Sequence, residues 1–210
     1  MLSTTASTSP GHPPDQIADL GALVGSRICH DLISPLGAIG NGVELIALTG
    51  QEPSPEISLI AESVESANAR IRFFRVAFGA AGDEQTIGAQ EVAVIVGGLS
   101  RTGRHRIDWS AGGAGRQEVK LAFLLVLCLE SALPWGGDIR VSRSGEAWTV
   151  EGTADRVKRD PALWDALGDP AAPFAVSSSE VEFPLARDTA LRIGRPITIS
   201  AGERGISVSF

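Results

Sequence analysis

The stretch Arg27-Ile28-Cys29-His30-Asp31-Leu32-Ile33-Ser34-Pro35-Leu36-Gly37-Ala38-Ile39 sits inside a longer run whose apolar positions set the architecture of the N-terminal third. From Asp15 to Thr49, the residues Ile17, Leu20, Val24, Ile28, Leu32, Leu36, Ile39, Val43 and Ile46 recur at steps of three or four. That spacing predicts one long helix. At about 100° per residue, His30 points roughly 200° away from Ile28 and so lies off the apolar stripe, exposed to solvent. Its own face carries Ser26, Ser34, Gly37 and Asn41, all small or polar. Glycines at 37, 40 and 42 each cost a helix about 1 kcal/mol relative to alanine. Two readings explain them: room for a partner surface to approach, favoured for Gly37, or close helix packing, equally open for Gly40 and Gly42. Pro35 removes an amide donor to the Asp31 carbonyl and predicts a bend just past the histidine.

Gly50 is placed to end this helix, Gln51 to Pro55 reads as a tight connection, and Ser54 with Pro55 forms a cap and first position for the next helix. There Ile57, Ile60, Val64, Ala67, Ile71, Phe74 and Phe78 alternate steps of three and four, an a/d seam. Two helices joined by a short loop pack antiparallel, but a lone hairpin cannot cover both apolar surfaces. A second copy completing a four-helix bundle is expected, the alternative being that the hairpin packs only on the rest of its own chain.

After Gly79 to Gly82 the composition changes, dividing the chain into a tail at 1–14, a helical hairpin at 15–80 and a mixed domain at 83–210. Strands are predicted at Arg106 to Ser110, Asp138 to Arg143, Ala147 to Gly152, Pro196 to Ser200 and Gly205 to Phe210. Helices are predicted at Gln90 to Leu99, Gln117 to Leu133, Pro161 to Leu167 and Glu180 to Ile193. The fold class is therefore α+β, with the second domain an α/β sandwich, a sheet covered on one face by helices.

Composition narrows the function. With 43% hydrophobic and 20% charged residues the chain is an ordinary globular protein, not a disordered one. A net charge of -7 repels a phosphate backbone, which argues against nucleic acid as a partner. No run approaches the ~18 apolar residues of a membrane span. The tail has neither a basic nor an apolar segment, so it does not read as a secretory signal. Two distant cysteines, Cys29 and Cys128, give no disulfide framework and no zinc site, and fit a reducing cytoplasm. Of three histidines, only His30 is set in a motif.

The segment His30-Asp31-Leu32-Ile33-Ser34-Pro35-Leu36 resembles the H-box of histidine kinases, with Ile33 departing from the basic residue common there. The wider run, with Asn41-Gly42, is similar to the ChpT-type histidine phosphotransferases of alphaproteobacteria. That resemblance implies a phosphorylated His30, assisted by Asp31, on a dimeric four-helix bundle beside a degenerate kinase-like ATP-binding domain. It implies relay of a phosphoryl group between receiver-domain aspartates of a hybrid histidine kinase and of response regulators. The receiver would supply Mg²⁺, and the chain would need no cofactor or metal of its own. Docking is expected at Leu23, Ser26, Arg27, Ser34, Gly37 and Asn41, with Arg70, Arg72 and Arg75 adding attraction. Competing readings are a non-catalytic receiver-binding module and a divergent ATP-dependent kinase. Against the latter, Leu127 and Ser131 stand where kinases place Mg²⁺-binding amides, and Glu151 to Arg156 lacks the glycines of a phosphate loop. A leucine cannot coordinate a hard cation.

Overall fold

The computed structural model describes residues 14–48, 54–82 and 84–210. Helix α1 (Pro14–Ala47) runs through Pro35 unbroken. Helix α2 (Pro55–Ala77) starts as its sequence requires: the Ser54 hydroxyl accepts from the Ile57 amide at 3.4 Å, and Pro55 occupies the first turn. The tail with His12, the expected helix end at Gly50 and most of the connection from Gln51 lie outside the described residues.

The two helices pack along one edge of α1. Cys29 is buried, Ile33 and Leu36 are half-buried, and a Cβ placed on Gly40 would sit 3.5 Å from Val64. Within one chain the expected stripe is covered only in part. Val24, Ile28, Leu32, Ile39 and Ile46 are about half exposed in the single chain, because one partner helix covers only one edge. A Cβ on Gly42 or Gly37 would meet nothing within 4 Å, so within one chain only Gly40 of the three serves helix packing.

The seam expected on α2 is likewise only part of its packing. Ile57, Val64, Ala67, Ile71, Phe74 and Phe78 are half-buried and Ile60 is exposed, whereas Ala69, Phe73, Val76 and Ala77 are buried. That second face meets the C-terminal domain. Phe73 stacks on Phe123 with ring centroids 4.4 Å apart, and a Cβ on Gly98 would come within 2.8 Å of the Ala69 methyl. Only glycine permits so close a helix crossing.

The C-terminal domain follows as β1 (Thr86–Ile87), α3 (Ala89–Thr102), β2 (His105–Trp109), β3 (Ala114–Gly115), α4 (Arg116–Ala132), β4 (Gly137–Ser144), β5 (Ala147–Thr153), α5 (Pro161–Gly168), α6 (Glu182–Arg192), β6 (Thr198–Ala201) and β7 (Gly205–Ser209). A five-stranded sheet has the order β2-β4-β5-β7-β6, with β2 parallel to β4 and the other pairs antiparallel. Alternate residues of β2, β4, β5 and β7 are buried, so helices cover one face, as the sequence predicts. The β1–β3 ribbon is new. Two residues per strand are too few to show a period.

Helix α4 is the centre of the fold, with every residue from Val119 to Leu129 buried, between the sheet on one side and α2 and α6 on others. Its first turn also fastens the two domains. Lys120 Nζ donates to the Gly79 carbonyl at 2.8 Å, Gln117 Nε2 to that of Ala81 at 2.7 Å, and Arg116 to those of Ala80 and Arg75 at 3.3 and 3.4 Å. Carbonyls at the end of α2, which have no partner within the helix, thus meet two cations and an amide.

Candidate functional site

Midway along α1, the His30 side chain is 81% exposed. Its Nδ1 lies 3.2 Å from Asp31 Oδ1, and Arg27 Nε donates to Asp31 Oδ2 at 2.8 Å. Adjacent helix positions do not ordinarily face each other, but here the imidazole and carboxylate lean together while Arg27, one turn earlier, holds the other oxygen. The hydrogen bond from His30, and after it that from Arg27, keep the Asp31 carboxyl below its ordinary range. An ionised carboxylate only accepts hydrogen bonds. In the neutral ring Nδ1 is then the nitrogen that donates to Asp31, and Nε2 keeps its lone pair. A neutral imidazole nitrogen so placed is a nucleophile near pH 7.

The expected docking residues divide. Leu23, Arg27, Ser34 and Asn41 are exposed, and Gly37 is half-buried with open space where a side chain would start. Ser26 differs from them in its surroundings. It is half-buried, and its hydroxyl accepts from the Ala80 amide at 3.2 Å, so it ties α1 to the junction between the domains. Arg70 is also corrected: it makes a bidentate pair with Glu130 at 3.0 and 2.6 Å and lies 5.0 Å from the Phe74 ring centroid. Neither Arg72 nor Arg75 has a side-chain hydrogen bond or ion pair among the described residues.

The residues aligned with kinase nucleotide boxes border a cavity of ≈ 1020 Å³ between α2, α4 and the start of α6. Leu127 is buried, and the Ser131 hydroxyl donates back to the Cys128 carbonyl at 2.7 Å. Two acids face the same space. Glu130 is held by Arg70, while Glu182 is buried at the first position of α6 and its carboxyl is pushed up by burial and by nearby Glu180 and Glu130. Helix N-termini favour anions, but this one already holds a carboxylate. Glu151 to Thr153 form the end of β5, where Gly152 sits between Ile139 and Ile206, and Ala154 to Arg156 follow as a bend in which Asp155 pairs with Arg204 at 3.0 Å. Sequence reasoning missed Glu130 and Glu182, whose roles arise from partners distant along the chain.

No helix among the described residues is long and apolar enough to cross a membrane. Residues 89–205 match the family model of the histidine phosphotransferase C-terminal domain. The chain is 38% identical over 167 residues to protein phosphotransferase ChpT of Brucella abortus (strain 2308), covering 74% of this chain and 77% of that one. It superposes on a solved structure described as a bacterial phosphotransferase with a TM-score of 0.66 and 27% identity, over 99% of both chains. The α+β fold, the family match along the second domain and the relative spanning most of the chain agree, and the chain belongs to the histidine phosphotransferases, enzymes of phosphoryl transfer in a phosphorelay.

Proposed function

We propose that His30 is the phosphoryl carrier, accepting at Nε2 from an aspartyl phosphate of a hybrid kinase's receiver domain and passing the group to aspartates of response-regulator receivers. The observation that carries this reading is the exposed imidazole with its Nδ1 3.2 Å from the Asp31 carboxylate. Nε2 attacks phosphorus, the N–P bond forms as the acyl phosphate P–O bond breaks, and the aspartate leaves as carboxylate. The ring keeps its Nδ1 proton and becomes a cation, which the Asp31 carboxylate stabilises. Such transfer depends on in-line positioning and charge compensation more than on an elaborate protein site. Mg²⁺ comes with the receiver's carboxylates.

A second copy of the chain covers the exposed stripe of α1, including Val24, Ile28, Leu32 and Ile39, to make a four-helix bundle and a homodimer. The supporting observation is that these residues stay about half exposed in one chain. The protein acts in the cytoplasm, where Cys29 and Cys128, both free and buried, stay reduced. It uses no nucleotide: Leu127 offers no ligand, and the Ser131 hydroxyl is taken up by the Cys128 carbonyl. Nucleic acid and membrane are not partners.

Incubation with a ³²P-labelled phosphorylated receiver, and separately with labelled ATP, tests the reading. Label is expected on the wild-type chain from the receiver only, and none on His30→Ala. Labelling of His30→Ala, or of the wild type by ATP, contradicts it.

A further inference from the structure

The family relay explains why His30 is exposed but not why an α/β domain stays clamped against the bundle beside it. We propose that α3 of that domain forms one wall of a docking groove next to His30, in which an acidic receiver domain sits during transfer. This rests on the phosphorelay reading above.

Ile33 lies one turn from His30 on a neighbouring edge of α1, a spacing at which side chains are adjacent on a helix. It borders a groove of ≈ 570 Å³ whose other walls are Arg72 and Arg75 of α2 and Gln90, Glu91 and Val94 of α3. Val94 is 56% exposed, although it sits in the helix that packs α2 most closely. The groove runs on along the bundle, since Arg72, Val94 and Ile95 also line the next hollow, which reaches Gly40 and Val43.

Its charge is graded. At the His30 end Arg72 and Arg75 have no side-chain partner among the described residues, and only Glu91 opposes them. Burial and the charge of Arg75 together lower the basicity of nearby Arg116, so cations are crowded here on a chain whose net charge is -7. At the far end the lining acids are Glu44, Glu62 and Glu65, of which Glu65 is paired with Arg101. A partner that brings a carboxylate-rich phosphorylation site to Nε2 meets positive charge there, and a basic flank of it meets the acids. Charges so arranged steer encounter and set orientation. An exposed valine between them gives the contact an apolar centre. The kinase-like domain is thus kept, on this reading, as a recognition surface fixed in position by Lys120, Gln117 and Arg116.

The test compares two donors on full-length Val94→Asp and Arg72→Glu. Phosphoramidate, which releases ammonia as Nε2 takes its phosphoryl group, needs no docking surface and reports the chemistry of His30 alone. A phosphorylated receiver that charges the wild type reports docking. Expected is a loss of roughly tenfold or more in kcat/KM with the receiver, carried mainly by KM, as for truncating a central interface residue. The phosphoramidate rate should stay within about twofold, since neither residue touches His30. Wild-type transfer from the receiver in both variants overturns the groove. So does an equal loss with phosphoramidate, or conversion of a dimer to monomer by Val94→Asp in sedimentation, which makes the groove a contact between copies. If no receiver charges the wild type, the phosphorelay reading itself fails.

Discussion

The face of α1 around His30 and the body of α4 are both helical, yet they are built oppositely. In α4 every side chain from Val119 to Leu129 is buried, and the helix borders a cavity only near its end, at Leu127, Glu130 and Ser131. Around His30 most side chains are exposed, and the histidine is held only through Asp31, which Arg27 holds in turn, among the described residues. The difference teaches where chemistry has been kept. Where a kinase would place cation-binding amides, Leu127 is buried in the core and the Ser131 hydroxyl bonds back to its own helix.

The largest expected contrast is in stability. Phe123→Ala removes a fully buried ring that stacks on Phe73 and meets Trp109 edge-on at 5.5 Å, which should cost about 3–5 kcal/mol. Denaturant unfolding reads this directly, while transfer by the protein still folded should persist. A loss below ~1 kcal/mol would mean that the domain interface is loosely packed.

Gly37→Trp should act the other way. An indole there starts in open space on the His30 face, so melting temperature should hold within a few degrees while transfer from a receiver falls at least tenfold. A large drop in melting temperature would instead place Gly37 against a neighbouring helix in the assembled bundle.

The smallest effect concerns Asp31, and its sign follows from the two hydrogen bonds. Because the folded carboxyl titrates below its ordinary value of 3.8, its contribution is present above that value and is lost as pH falls through the lower, folded one. NMR titration should place the Asp31 midpoint below 3.8 and show it rising in Arg27→Ala. A midpoint at or above 3.8 would remove the reason for assigning the Nδ1–H tautomer. Asp31→Ala should slow transfer without stopping it.

The sequence showed what depends on neighbours along the chain. Ser54 and Pro55 marked the start of α2, alternation placed the five long strands, and helical phase put His30 outside the stripe. Contacts between distant segments were not legible. Phe73 and Val76 looked like off-seam positions because nothing nearby announces that α4 will cover them. Arg70 resembled Arg72 and Arg75 until Glu130, 60 residues later, came beside it. Ser26 shared a face with His30 by helical phase, but the Ala80 amide takes its hydroxyl. The His30–Asp31 contact goes against the rule for adjacent residues, with Arg27 holding the carboxylate's other oxygen.

The central claim is that one nitrogen of one histidine carries the phosphoryl group. Phosphorus–nitrogen correlation NMR on ¹⁵N-histidine-labelled protein, phosphorylated by a receiver domain, tests it most directly. The account predicts a single phosphorus coupled to Nε2 of His30, with a proton retained on Nδ1. Coupling to Nδ1, or phosphorus on any other residue, would contradict it.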